Sequence, residues 1–216
     1  MKIRTKNELK DILDKDLAWR KVELSTILAN VNSSEAGAFK VALRTSILLL
    51  YAHWEGFIKK AAEAYLNFVS HQSLRFIDLD NCFLAIALRQ KLRDFKDEND
   101  STIHSQFVSF VRDRMQDDAR ISYDNVISAR SNLNSKILRQ ILTSIGINYS
   151  LFELKGNLID QQLLKYRNTI AHGEYLMLDK IEYKAIHSEI FAMINEIKNR
   201  IENAVYLEEY KKVNKI

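Results

Sequence analysis

No proline occurs anywhere in the 216 residues of this chain, and there are only five glycines. Ordinary usage of about 5% would place roughly ten prolines in a sequence of this length. Sheets need many tight reversals, and tight reversals are built largely from Pro and Gly. A chain so short of both is expected to be all-helical, with few and polar connections. Apolar residues at 47% and charged residues at 28% are ordinary for a globular protein and argue against a disordered chain.

Charge and cysteine usage narrow the class further. Lys and Arg number 32 against 28 Asp and Glu, a formal +4, which permits contact with nucleic acid without requiring it. Cys82 is the only cysteine, so no disulfide framework and no thiolate metal site is expected. The start of the chain carries Lys2, Arg4, Lys6, Glu8 and Lys10 without the apolar stretch of a secretory signal. The longest strongly apolar run, Ile47 to Ala52, is far short of the roughly 20 residues of a membrane span. The expectation is a cytoplasmic protein with no membrane partner.

Periodicity places the helices, and neither internal repeats nor low-complexity tracts interrupt it. A first helix is expected over about Lys6 to Asn30, with Leu9, Leu13, Leu17, Leu24, Ile27 and Val31 on one side. The second, over about Glu35 to Ser70, carries Leu43, Ile47, Leu50, Trp54, Phe57, Ala61 and Tyr65 in steps of three and four, a stripe that must face other helices. Shorter helices are expected over Asn81 to Phe95 and Ile103 to Met115, with Arg89, Arg93 and Lys96 on one face of the first, read as a solvated face. Another is expected from Asn125 to Ile145, capped by Asp124 and stopped by Gly146. After a loop from Ile147 to Asn157 comes a helix over Leu158 to Ala171. The last helix, about 179 to 205, opens with the capping-box spacing of Asp179 and Glu182 and carries Ile186, Ile190, Met193, Ile197 and Ile201. The basic end beyond Val205 is expected to fray. Six or seven helices in one domain, 1–216, is the architecture this pattern implies.

One stretch stands apart from packing logic: Tyr166-Arg167-Asn168-Thr169-Ile170-Ala171-His172-Gly173-Glu174-Tyr175. It ends a helix at a glycine and gathers Arg, Asn, His and Glu within eight residues. Asn168 and His172 are neighbours at i, i+4, only 40° apart on a helical wheel, while Arg167 lies 140° from His172. By spacing alone, a His ahead of a capping Gly is equally a structural device, since its ring can bond the last free carbonyls.

The residues Arg167-Asn168-x-x-x-His172 resemble the R-x4–6-H motif, with a polar residue after the Arg, of the HEPN superfamily. The resemblance extends to Ala52-His53-Trp54-Glu55-Gly56-Phe57 on the long early helix and to Ser131-Asn132-Leu133-Asn134-Ser135 before an apolar helix, in that order along the chain. It is strongest to a stand-alone, toxin-like prokaryotic branch. One departure is that the Tyr which follows the His at the second position in toxins paired with a nucleotidyltransferase antitoxin stands here at the third, as Tyr175. The resemblance implies a HEPN-type helical bundle with additional helices, and a metal-independent endoribonuclease acting as a toxin or in anti-phage defence. It further implies an RNA substrate, a homodimer with the motif at its interface, and a cognate antitoxin or regulatory protein.

The residue types suit that chemistry. Attack of the RNA 2′-OH on the adjacent phosphate needs proton transfer, for which an imidazole with a free value near 6.5 is well matched. It also needs a fixed cation on the phosphate oxygens, where the planar fork of Arg outperforms Lys. His172 is therefore the expected general acid or base, Arg167 the phosphate clamp and Asn168 an orienter of His172 or a donor to phosphate. An acidic helix residue near the motif Arg is also implied by the resemblance, which makes Glu55 a supporting candidate. His53 is a weaker candidate, its other reading being a packed histidine, and Glu174 is weaker still, its other reading being exposed loop. His71, His104 and His187 have no partners at catalytic spacing.

Other chemistries lack their residues. His172-Gly173-Glu174 has the H-x-E of zinc deaminases but not their P-C-x-x-C. No phosphate loop, dinucleotide fingerprint, H-E-x-x-H or nucleophile elbow occurs. No cofactor and no metal is expected. The alternative to a nuclease is a HEPN-like module that binds RNA, nucleotide or protein without cutting, and beyond that a plain helical adaptor.

Overall fold

The computed structural model describes residues 1–89, 91–93, 101–123, 126–127 and 132–212 (backbone only at 36). Helices dominate them. Helix α1, Lys6–Ser33, starts in a capping box: the Thr5 hydroxyl accepts from the Glu8 amide at 3.1 Å, and Glu8 Oε2 accepts from the Thr5 amide at 3.0 Å. Only Ser34 and Glu35 separate it from α2, Ala36–Ser70, so the two must run antiparallel. At 1.5 Å per residue α2 is about 52 Å long, in line with the expected span.

The core explains why α2 takes the central place. Its expected stripe is buried throughout, and Tyr51, Ile58, Ala62, Leu66, Phe68 and Val69 bury its other sides. A helix apolar nearly all round needs neighbours on several faces. They are α1, through Leu9, Leu13, Leu17, Leu24 and Val31, and the last helix α7, Lys180–Tyr206, through Ile186, Ile190, Ile194, Ile197 and Ile201. All of these belong to one contiguous cluster. Asp179 caps α7 as its spacing predicted, its carboxylate accepting from the Glu182 amide at 2.8 Å.

The smaller elements depart from expectation. Helix α3 covers Asn81–Ala87 and is interrupted at Leu88, and residues 89 and 91–93 are again helical, as periodicity suggested; residues 90 and 94–95 lie outside the described set. Helix α4, Ser101–Asp113, begins two residues early and buries no residue fully. The helix expected from Asn125 is α5, Ser135–Ser144. Its cap is Asn134, which accepts from the Ile137 amide at 2.8 Å; residues 126–127 are not helical, and Asp124 and Asn125 lie outside the described residues, as do Lys96 and Ser131. Gly146 ends α5 with φ +73°, as expected. A 3₁₀ turn, Ser150–Lys155, occupies the expected loop. The helix expected over Leu158 to Ala171 is divided into a π-helical segment, Leu158–Leu164, that runs directly into α6, Lys165–Ala171.

The chain after α7 does not fray as far as it is described. Tyr210 is buried with its ring edge-on to Phe68 at 5.6 Å, its carbonyl accepts from the Asp80 amide, and the Lys212 amide donates to Asp78. Leu207 to Lys212 thus seal α3 against α2, because one aromatic supplies the burial that the flanking lysines cannot. Among the described residues there is no strand, only two isolated bridges. No helix among them is long and apolar enough to cross a membrane.

Candidate functional site

The motif segment is shaped first by how α6 stops. His172 is the C-cap, its amide bonded to the Asn168 carbonyl at 2.9 Å. Gly173, at φ +78°, donates to the Ile170 carbonyl, and the Glu174 amide reaches back to Thr169 at 3.0 Å. This pair of bonds is a Schellman closure, which needs a left-handed residue where Gly173 stands. It satisfies the last carbonyls from the backbone, so the His172 ring is not needed as a cap. The ring is exposed, and among the described residues it has no hydrogen-bond partner.

The loop beyond is pinned on both sides. Arg44 of α2 donates to the Glu174 carbonyl at 2.8 Å, and Tyr166 donates to Glu182 at the start of α7. Before α6, the Asp160 carboxylate takes the Ser135 amide and hydroxyl, at 2.7 and 2.5 Å, tying the π-helical segment to the start of α5. Between these anchors lies an open groove of about 400 Å³ lined by Asp160, Gln161, Lys165, Asn168, Thr169, His172 and Glu174.

Arg167 points the other way, toward α2. Its guanidinium lies 4.9 Å from the centre of the Tyr51 ring. Its Nη1 donates to Asn168 Oδ1 at 2.7 Å and to Asn132 Oδ1 at 3.2 Å. A guanidinium has five N–H donors, and the Nε/Nη2 edge is one of its two-pronged faces for an oxyanion. Among the described residues that edge has no acceptor and no carboxylate pairs with Arg167. The arginine is therefore held by neutral oxygens and an aromatic face, with no carboxylate partner among the described residues.

No hydrogen bond joins Asn168 to His172 among the described residues. Its side-chain oxygen is bonded to Arg167, while its position on α6 gives it a place in the groove with His172. Glu55 reaches Arg167 only through a third group: Tyr51 donates to Glu55 Oε2 at 2.5 Å and accepts from the Leu133 amide at 2.6 Å. Burial, then the bond to Glu55, pushes the Tyr51 phenol well above its ordinary value. Glu174 is exposed, and only its backbone is engaged in these contacts.

His53 does not join this group. It is buried against α1, with Nε2 2.8 Å from the Glu23 carboxylate, Nδ1 3.4 Å from Arg20 and its ring 5.2 Å from that of Trp19. Arg20 is bound in turn by Asp16, Nε to Oδ2 at 2.7 Å and Nη2 to Oδ1 at 3.3 Å. His187 is also buried, stacked on Phe191, and burial pushes its imidazole below the ordinary value. Cys82 is half-buried, and its thiol is pushed up mainly by burial. No cluster of three or more His, Cys, Asp or Glu among the described residues is arranged to hold a metal ion.

Tyr51 and Asn132 were not anticipated as site residues. Tyr51 lies one position off the apolar stripe and reads as core; its only sequence signal is the i, i+4 pairing with Glu55. Asn132 belonged to a quoted segment, but nothing local connects it with a residue 35 positions away.

The fold and this segment together define a helical domain that presents, at one helix end, an exposed histidine and an arginine with no carboxylate partner among the described residues. The family model described as HEPN_MAE_28990-like HEPN matches residues 9–210, and the chain belongs to the HEPN family. HEPN domains are generally ribonucleases that bind RNA and often dimerise. No curated protein and no solved structure matches the chain.

Proposed function

We propose that this protein is a metal-independent endoribonuclease, acting as the toxin of a toxin–antitoxin pair or as an anti-phage effector. The observation that carries this reading is Arg167: a fixed guanidinium whose Nε/Nη2 edge has no acceptor among the described residues, five residues ahead of an exposed His172. Such a fork matches a phosphate, which takes both prongs at once.

The reaction is a transesterification within the RNA. The 2′-OH loses its proton to a base, its oxygen bonds to phosphorus, and the bond from phosphorus to O5′ breaks. The leaving oxygen takes a proton from an acid, so that a 2′,3′-cyclic phosphate and a 5′-OH result. Arg167 stabilises the charge that builds on the non-bridging oxygens. His172 moves one of the two protons. A homodimer about a two-fold axis near the motif brings a second His172 for the other, because an isologous contact sets each residue near its own copy. Asn168, bonded to Arg167 and lining the groove of His172, links the clamp to the acid–base group. A cognate antitoxin or regulatory protein restrains the activity, and the protein works in the cytoplasm.

The test is incubation of wild type, His172→Ala and Arg167→Ala with total RNA in EDTA, with product ends mapped. Cleavage by wild type alone, leaving cyclic phosphate ends, supports the reading. Intact RNA with folded wild-type protein overturns it in favour of a non-cutting RNA- or nucleotide-binding module. One feature favours that second reading: among the described residues of one copy, no hydrogen bond orients the His172 ring. It predicts binding that survives His172→Ala and weakens with Arg167→Ala.

A further inference from the structure

We infer that Tyr51 is the positioning residue that keeps Arg167 open for phosphate; this rests on the reading of Arg167 as the clamp. Three contacts meet on its side chain. The ring face supports the guanidinium at 4.9 Å, the hydroxyl donates to Glu55 at 2.5 Å, and the same oxygen accepts from the Leu133 amide at 2.6 Å. Leu133 is fully buried and adjoins Asn132, whose side chain takes Arg167 Nη1. The Tyr51 oxygen therefore also anchors the stretch of backbone that carries Asn132. Two of the three groups that hold Arg167 depend on Tyr51, and the third, Asn168, is its neighbour in sequence.

The hydroxyl has a second consequence. Glu55 is the acid nearest this arrangement by hydrogen bonding, and a carboxylate free to move would be drawn to the open edge of a guanidinium. The phenol occupies a Glu55 oxygen and stands as a neutral bridge between acid and arginine. Charge that would stabilise Arg167 in place of phosphate is thus held one residue away. The rigid middle of α2 suits this task, because the ring is buried and its hydroxyl has both a donor and an acceptor partner.

The experiment uses the full chain with Tyr51→Phe, Tyr51→Leu and Tyr51→Leu/Glu55→Gln. Single-turnover cleavage of a labelled single-stranded RNA is measured in EDTA across pH. In parallel, the order of the Arg167 Nε–H vector is followed by ¹⁵N relaxation, with its signal assigned through Arg167→Lys. Tyr51→Phe, which keeps the ring, is expected to lower the cleavage step about tenfold and Tyr51→Leu about 100-fold, the scale of a misplaced catalytic group. The shape of the pH profile stays that of wild type, because His172 is untouched. Glu55→Gln restores part of the rate in the Tyr51→Leu background, since the amide no longer captures the guanidinium. Arg167 loses order in step with the rate.

Wild-type rates in folded Tyr51→Phe and Tyr51→Leu, with the Arg167 signal unmoved, overturn the inference and leave the nuclease reading intact. If wild type does not cut RNA, the nuclease reading fails, and the Arg167 signal alone decides. Loss of order in the variants upholds Tyr51 as the positioning residue, and an unchanged signal overturns it. Altered stability with unchanged rate and unchanged order reduces Tyr51 to a packing residue.

Discussion

Two arginines in this molecule sit in nearly the same way and end in opposite states. Arg20 lies against the Trp19 ring at 4.5 Å, and Arg167 against the Tyr51 ring at 4.9 Å. Each has a histidine nearby in its segment of the fold, His53 beside Arg20 and His172 five residues beyond Arg167. Arg20 uses its Nε/Nη2 edge on the Asp16 carboxylate and directs Nη1 at His53. Arg167 uses Nη1 on two amide oxygens, and among the described residues its Nε/Nη2 edge has no partner. The Arg20 cluster thus displays the oxyanion that such an edge takes, supplied from within the chain. In the Arg167 cluster no carboxylate among the described residues takes that place. Burial follows the same division, with Arg20 and His53 at 7% and 3% exposure and His172 on the surface.

The largest predicted effect is a crossed pattern. Arg20→Ala leaves Asp16 with little else to pair it and is expected to cost about 3 kcal/mol of stability, measured by denaturant unfolding, with RNA cleavage unchanged per folded molecule. Arg167→Ala is expected to change stability by no more than about 1 kcal/mol while cleavage falls roughly 10²–10³-fold. Equal loss of stability from both substitutions would erase the distinction between the clusters.

A smaller effect falls on the helix stop that frees His172. Gly173→Ala places a side chain in the left-handed region, where strain and not crowding is the problem, since no atom lies within 4 Å of the added carbon. Its expected cost is about 1 kcal/mol, read as a lowered melting temperature, and Gly173→Asn should cost less.

The pH dependence of stability follows a buried histidine. His187 has its imidazole below the ordinary value through burial, so the unfolded chain binds a proton that the folded one does not. Its contribution to stability is therefore complete above the free value, about 6.5, and lost as pH falls below it. Thermal melts from pH 8 to 5 should show that decline, and His187→Phe should flatten it.

The finest test concerns the approach of Arg20 to α2. A carbon added at Gly56 would stand 2.9 Å from Arg20 Nη1. In wild type, Gly56→Ala should not yield the roughly 0.5–1 kcal/mol that a helical Ala brings over Gly. In Arg20→Ala it should, and a double-mutant cycle on urea midpoints measures the difference.

Much of the scaffold was legible because it is governed by short-range rules. The stripes of α1, α2 and α7 repeat every three or four residues, and each is buried. The Asp179 cap and the stops at Gly146 and Gly173 are local events spanning at most six residues. The middle was less legible for the same reason reversed. Periodicity carried a helix back to Asn125, whereas α5 begins at Ser135, where the Asn134 cap and the Asp160 contact with Ser135 meet. The end of the chain looked free by composition, yet Tyr210 finds its pocket only in the assembled core.

The candidate site divides along that line. Arg167, Asn168, His172 and the glycine that exposes the ring are one continuous segment, so the sequence alone marked them. The lack of proline and scarcity of glycine likewise marked the chain as helical, because few of its residues favour tight turns. Which arginine meets a carboxylate among the described residues and which does not was decided only in three dimensions. Arg20 meets its carboxylate one helical turn away, whereas Arg167 is held by Tyr51 and Asn132, 116 and 35 residues distant. Hydrogen-bonded turns obey spacing along the chain; compensation of a charge depends on what other elements bring within about 3 Å of it, and that is fixed by how the helices pack.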